Sequence, residues 1–296
     1  MNADHHSAPD AHTATFEQHR PRLMGVAYRM LGSRADAQDV LQDAWLRWQA
    51  TDAERVHTAE AWLVTTTTRL CVDRLRAART ERDAYSGPWL PEPWVDSQAT
   101  APPADARAEL ASDLSIALLV VLERLSPDER AAFLLHDVFD SDYAEIATVL
   151  DRSEAACRQL VHRARMQVRQ DKVRFTATPT AAQALLHRFV EAMRTQDHAA
   201  LLALFAQDAT WTPDAGGKVP AATRVLRGPR AIARLAAGVW RLYLRHLTAD
   251  EVQINGTPGL VLREGGIPRV ALALQTDGTH IHGIYTVLNP DKLRGL

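Results

Sequence analysis

His280 and His282 stand two residues apart in H-I-H-G-I-Y-T-V-L, so on an extended strand both imidazoles face the same way. A pair of this kind could move a proton, with Asp214 and Trp211 as companions in the same domain. A metal site needs a third ligand, and no Cys or Asp spacing supplies one, so no metal is expected. Gly216-Gly217-Lys218 is not a phosphate-binding P-loop, because Thr212 stands where the first Gly belongs and Val219 replaces the Ser or Thr. Cys71 and Cys157 both fall inside helical patterns and imply no disulfide framework. No catalytic residue and no cofactor is assigned on these grounds.

A second chemistry is carried by C-R-Q-L-V-H-R-A-R-M-Q-V-R. At 100° per residue, Ala156, Cys157, Leu160, Val161, Ala164 and Val168 fill one arc of about 140°. Arg158, His162, Arg165 and Arg169 occupy the opposite side, with Gln159 and Arg163 beside them. Guanidinium and amide groups on one helix face suit base edges and phosphates. The elements that would position them are a short helix, Tyr143 to Leu150, started by Asp142 with Glu145, and a tight turn through Asp151, Arg152 and Ser153. With small Ala147 available for close contact, this is a helix-turn-helix pattern. Upstream, Ser126-Pro127-Asp128-Glu129 joins an N-cap, a first-turn Pro and a capping-box Glu.

The earlier part of the chain is helical from Phe16. In D-A-Q-D-V-L-Q-D-A-W-L-R-W, Ala37, Val40, Leu41, Ala44, Trp45 and Trp48 share a face, leaving Asp39, Gln42 and Asp43 on an acidic one. A third helix follows from Ala59. It contains Trp62, the β-branched run Thr65 to Thr68, and the cluster Arg69, Arg74, Arg76 and Arg79. Then comes S-G-P-W-L-P-E-P-W, Ser86 to Trp94, in which proline sets a stiff extended backbone. Trp89 and Trp94 on such a segment are expected to dock on something.

The whole chain has 296 residues, 46% hydrophobic and 24% charged, an ordinary soluble composition with room for two or three domains. Residues 1–175 hold 21 Lys and Arg against 27 Asp and Glu; the remainder holds 13 against 9. No run reaches the length of a membrane span, and the N-terminus lacks signal-peptide features, so a reducing cytoplasm is expected. After Thr176, helical stretches at 180–195 and 229–246 precede strands with hairpin signals at Gly265-Gly266 and Asp277-Gly278. That reads as a separate α+β domain of helices followed by an antiparallel meander.

Together these motifs resemble a bacterial sigma factor of the extracytoplasmic-function type. The resemblance implies that Asp39, Gln42 and Asp43 grip the clamp helices of core RNA polymerase. It implies that Trp62, Arg69, Arg74, Arg76 and Arg79 melt and read the −10 element. It implies that Ser153, Arg158, Gln159, His162, Arg163, Arg165 and Arg169 serve the −35 element, and that the same region meets the polymerase flap. Many such factors have Asn where Arg69 stands, so their −10 base preference is not carried over.

The linker motif Trp89-Leu90-Pro91-Glu92-Pro93, followed by an added domain, resembles the SigJ-like group with a fused C-terminal SnoaL-like domain. That group's D-G-G-G-K motif reads Asp214-Ala215-Gly216-Gly217-Lys218 here, with Ala215 in place of Gly, and its N-P-D-K-L motif is intact as Asn289-Pro290-Asp291-Lys292-Leu293. The implied organisation is two all-α sigma domains followed by an α+β cone. It comprises a disordered tail (1–14), region 2 (15–83), the Trp/Pro linker (84–108), region 4 (109–174), a short linker (175–180) and the SnoaL-like domain (181–296). Trp89 and Trp94 are expected to dock on the C-terminal domain, which takes the part of a separate anti-sigma protein. The partners implied are core polymerase and promoter DNA, with no membrane, and a free monomer is expected. A small ligand in the cone, and a polyketide-cyclase or isomerase activity there, stay open as alternatives.

Overall fold

Near-continuous apolar runs such as G-L-V-L and V-A-L-A-L fill the late strands, which is the pattern of a sheet covered on both faces. The computed structural model describes residues 11–52, 55–95, 115–171 and 177–296, and it resolves into two compact units. One comprises the chain to Arg79 together with Leu122–Gln170; the other comprises Thr80–Val121 together with Asp171–Leu296.

The first unit is all helical: α1 Ala11–Leu31, α2 Arg34–Gln49, α3 Ala59–Ala77, then α6 Pro127–Asp137, α7 Tyr143–Leu150 and α8 Glu154–Asp171. Two short helices between them, α4 Arg79–Asp83 and α5 Ile116–Leu122, fall mostly in the second unit. Ser33 caps α2 by accepting from the Asp36 N–H, and capping boxes close the starts of α6 (Ser126 and Glu129) and α7 (Asp142 and Glu145). The β-branched run of α3 turns Thr67 and Thr68 into the core beside Leu63, Val64 and Cys71. Arg130 is buried there, and its guanidinium donates to the Met30 carbonyl and to Glu123, both at 2.6 Å. A buried cation of this kind is tolerated because carboxylate and carbonyl partners accept from it.

The second unit contains α9 Pro179–Thr195, α10 His198–Leu204, β1 Phe205–Asp214, β2 Leu226–Arg227 and α11 Pro229–Val239. A π-helical turn, Trp240–Leu244, leads into β3 Thr248–Ile254, β4 Thr257–Glu264, β5 Ile267–Thr276, β6 Ile281–Val287 and a 3₁₀ turn at Pro290–Leu293. The sheet order is β2-β1-β6-β5-β4-β3, antiparallel except for the parallel β1–β6 pair. Gly265-Gly266 and Asp277-Gly278 do join consecutive strands as expected. Asn255-Gly256, both at positive φ, makes a third such turn beyond the two expected. The expected helices-then-meander order is corrected by β1, which precedes α11 and pairs with the last strand.

Alternate strand residues sort into two cores. Leu260, Leu262, Val270, Leu272, Leu274 and Ile284 pack beneath the helices with Phe189 and Trp211. Val261, Ala271, Ala273, Tyr285 and Val287 face the other way, and there the cover is Leu90 of the linker together with Ile116 of α5. The two alanines leave room for a backbone to lie close to the sheet.

Several boundaries shift accordingly. Residues 11–14, expected in a disordered tail, begin α1; residues 1–10 lie outside the described residues. Residues 80–83 of region 2 and 115–121 of region 4 pack with the C-terminal unit, whose second core takes Ile116. Residues 96–108 of the linker, 109–114 of region 4 and 172–176 lie outside the described residues, whereas 179–180 already open α9, capped by Thr178. Leu90→Ala should destabilise the second unit by about 2–5 kcal/mol, because the fully buried side chain leaves a cavity against a rigid sheet. Urea unfolding followed by tryptophan fluorescence measures this, and an unchanged midpoint would contradict the covering role.

Candidate functional site

In the first unit the acidic face is as expected: Asp39, Gln42 and Asp43 are exposed while Val40, Leu41, Ala44 and Trp48 are buried. Trp48 donates from its indole to the His12 carbonyl at 3.0 Å and packs at 5.3 Å from Trp62. Trp62 is therefore half-buried, and its outer side lines a recess of about 560 Å³ with Thr51, Asp52, Arg55, Val56, His57, Thr58 and Ala61. Sequence reasoning misses these residues, because no periodicity marks the wall they form.

The expected −10 arginines are engaged within this unit. Arg69 donates to the carbonyls of Thr148 (2.6 Å) and Val149 (2.9 Å), the free C-terminal carbonyls of α7. Arg74 donates to Asp36 at 2.6 Å, and Arg76 to Asp128 at 2.7 Å, where Arg152 is a second partner. Arg79 is exposed.

The helix-turn-helix turns on Asp151, which caps α7 at φ 53° in the left-handed region. On α8, Cys157, Leu160, Val161, Ala164 and Val168 are buried, and Ser153, Arg158, Gln159, His162, Arg163 and Arg169 are exposed. Arg158, Gln159, His162 and Arg163 together line one recess of about 310 Å³. Arg158 is paired with Glu154 and lies over Tyr143; Arg163 donates to Glu129 at 2.7 Å. Arg165 departs from expectation. It is half-buried and donates to both carboxylate oxygens of Asp137, so it is turned from the open face by a partner 28 residues earlier.

In the second unit the linker is clasped by a buried carboxylate. Asp214, with no exposed surface, accepts from the Tyr85 hydroxyl (2.5 Å), the Leu90 N–H (2.7 Å) and Lys292 Nζ (2.7 Å). Lys292 also donates to the Leu90 carbonyl at 2.6 Å and sits 4.0 Å from the centre of the Trp89 ring, whose neighbour is Arg82 at 4.5 Å. Asn289 donates to the Tyr85 hydroxyl at 2.9 Å, and Lys218 pairs with Asp291. Further along, Trp94 and Asn255 exchange two hydrogen bonds, and Val95 bridges to Ile254 at the sheet edge.

Here too the residues are redistributed. Leu90, Pro91 and Pro93 are the buried members, whereas Trp89, Glu92 and Trp94 are half-buried. Trp89 works as a flat platform for two cations rather than as the deepest anchor. Gly216 is required: a Cβ there would lie 2.5 Å from Asn289 Nδ2 and 2.8 Å from the Tyr85 hydroxyl, at φ +57°. Gly217 likewise has φ +71° and faces Ser86. Ala215 is outside the positive-φ region, so its methyl group is accommodated. Pro290 is exposed and Leu293 buried. The expected His280/His282 face does not form, since His280 lies in the turn before β6 and is exposed. His282 pairs with Asp277 at 3.1 Å, about 17 Å along the strand from the Asp214 end.

Burial lowers Lys292 from 10.5 to about 8, Asp214 opposing, while burial and the bond to Asp214 raise Tyr85. An undocked Lys292 binds its proton more tightly than a docked one between these values, so docking weakens as pH falls from 10.5 towards 8 and strengthens as pH rises through that window. Above 10.0 an undocked Tyr85 ionises while the docked one does not, and docking then weakens with rising pH on its account. The sign for lysine is that of a depressed pKa, whose cost is present in full below about 8 and vanishes above 10.5. Limited proteolysis at residues 85–95 across pH 7–11 should show greatest protection near pH 10, and protection falling steadily from pH 8 would contradict the assignment. Lys292→Met should leave the Asp214 carboxylate and the Leu90 carbonyl each short of a donor, weaken docking by about 1–3 kcal/mol for each acceptor left unpaired, and expose the same segment to protease.

Residues 15–81 match the Sigma-70 region 2 model and residues 115–168 the Sigma-70 region 4 model. The chain is 39% identical over 292 residues to the ECF RNA polymerase sigma factor SigJ of Mycobacterium tuberculosis (strain ATCC 25618 / H37Rv), covering 95% of this chain and 92% of that protein. It is 30% identical over 292 residues to the probable ECF sigma factor SigI of Mycobacterium tuberculosis (strain CDC 1551 / Oshkosh), covering 97% and 96%. The crystal structure of Mycobacterium tuberculosis SigJ aligns with a TM-score of 0.75 at 36% identity, over 95% of this chain and 98% of that one.

Proposed function

Because this chain belongs to the extracytoplasmic-function sigma factors, we propose that its C-terminal domain governs promoter use by gripping the chain that joins the two promoter-binding regions. The protein binds core RNA polymerase and promoter DNA and directs promoter-specific initiation of transcription. The observation that carries the regulatory reading is the Asp214–Lys292 clasp on Leu90, in a core that also takes Ile116 from the far end of the same connection. Both ends of the tether between regions 2 and 4 are thus held by one domain.

The exposed Asp39, Gln42 and Asp43 suit the basic clamp helices of the polymerase, and region 4 meets the flap. The recess of Arg158, Gln159, His162 and Arg163 suits base edges of the −35 element, with Ser153 and Arg169 on phosphates. The recess beside Trp62, with Arg55 and His57 on its wall, suits an unstacked base of the −10 element. Arg69, Arg74 and Arg76 reach DNA only by exchanging the Thr148 and Val149 carbonyls, Asp36 and Asp128 for phosphates, so promoter opening is coupled to loosening of the helical unit. The C-terminal cone is non-catalytic on this reading: its helix-side interior is filled by Phe189, Trp211, Leu272 and Ile284, and the Trp211 indole donates to Thr286. The factor acts as a monomer in the cytoplasm, where the polymerase is.

Replacing Asp39 and Asp43 with Arg should abolish pull-down of core polymerase while leaving the thermal midpoint unchanged, since both side chains are exposed. Run-off transcription should be lost with it, whereas Lys292→Met should retain pull-down and change promoter output several-fold. Normal pull-down by the double variant would sink the clamp assignment; unaltered output from Lys292→Met would sink the regulatory one.

A further inference from the structure

From Ala215 to Ala249 the chain has no Asp or Glu, yet it carries Lys218, Arg224, Arg227, Arg230, Arg234, Arg241 and Arg245. Such segregation is unlike the helical unit, which ties many of its arginines to carboxylates. Arg230, Arg234, Arg241 and Arg245 follow one another at spacings of four, seven and four, which keeps them on one stripe of α11 and its π-helical continuation, about 22 Å long. All four are exposed, and no side-chain hydrogen bond, ion pair or ring contact among the described residues engages any of them. The π turn widens the helix there and turns Leu242 (62% exposed) and Tyr243 (56%) outward beside Arg241 and Arg245.

We propose that this arginine stripe is a second DNA-binding surface, which contacts the phosphate backbone of duplex lying upstream of the −35 element. The inference rests on the sigma-factor function stated above. Two features favour DNA. On the −35 helix Arg158, Arg163 and Arg165 are paired with Glu154, Glu129 and Asp137, so that only Arg169 meets phosphate without exchanging a partner, and residues 1–175 are acidic on balance. Cations that give up no carboxylate partner on meeting phosphate lie in the C-terminal stripe and add sequence-independent attraction to that of the −35 helix. Second, only seven residues separate the end of α8 at Asp171 from the start of α9 at Pro179, a reach of at most about 28 Å. Once α8 occupies the −35 major groove, the C-terminal domain is tethered within about one turn of duplex, at high effective concentration. A membrane-surface helix would instead bury its whole apolar side in lipid, whereas Ile232, Ala233 and Ala236 are already packed in the core of their own domain.

The test uses the full chain with Ala at Arg230, Arg234, Arg241 and Arg245, and a second variant with Lys at all four. The probe is a labelled 30-base-pair duplex of arbitrary sequence, titrated over a salt series. Anionic vesicles of phosphatidylglycerol and core-polymerase pull-down run alongside. The Ala variant should bind duplex at least tenfold more weakly, with the salt slope smaller by about 0.9 for each phosphate no longer neutralised. The Lys variant should keep most of the binding, and both should keep the wild-type circular dichroism and thermal midpoint. Unchanged duplex binding by a folded Ala variant overturns the proposal, as does an effect confined to vesicles or to polymerase pull-down. Run-off transcription measured in parallel reports the sigma function separately: initiation with unaltered duplex binding removes this inference alone.

Discussion

A carboxylate with no access to water organises the second unit. Asp214 costs several kcal/mol to bury as an ion, and the groups that offset this cost come from segments distant in sequence. Tyr85 and the Leu90 N–H come from the linker, Lys292 from the last turn, and its own backbone carbonyl accepts from Leu288 and Asn289. Remove any one and the rest face an under-satisfied charge, so the segments dock as a set. Gly216 and Gly217 are glycines because the linker passes so close to them, and Ala271 and Ala273 are small on the face where Leu90 seats. The geometry of the sheet's second face therefore follows from one buried negative charge.

The helical unit works on the opposite principle, with its cations exchangeable. Arg74, Arg76, Arg158 and Arg163 meet carboxylates at partly exposed sites, where each pair contributes about 0–1 kcal/mol. Phosphate can compete for such arginines. Arg130, paired and out of water, cannot be recruited in this way and serves as a fixed strut between α1 and α6. The distinction between exchangeable and fixed arginines is one of burial, since the side chains are chemically identical.

Local signals are legible in the sequence and non-local ones are not. The caps at Ser126 and Asp142, the tight turn after α7 and the recess residues of α8 follow from spacing within one element. Arg165 lies on the polar side of the same helical wheel, but Asp137 turns it aside from another helix, which no periodicity encodes. The size of Trp89 and Trp94 suggests anchors, yet Leu90, Pro91 and Pro93 are the buried residues, and at Trp89 a ring held between Arg82 and Lys292 must keep its faces available to them. The parallel pairing of β1 with β6 joins strands separated by two helical segments and several other strands, and hairpin signals are silent on it. Asn255-Gly256, by contrast, is a local signal as plain as the other two hairpin turns, and composition alone suffices to find it.

The clasp also has a timetable. Leu90 and Lys292 are 202 residues apart in the chain. At synthesis rates of about 5–20 residues per second, roughly 10–40 seconds pass between emergence of the linker and emergence of the lysine that holds it. For much of that interval the helical regions are already complete and the linker has nothing to dock on. Until Lys292 emerges, the Leu90 carbonyl and the Asp214 carboxylate wait without the cation that joins them.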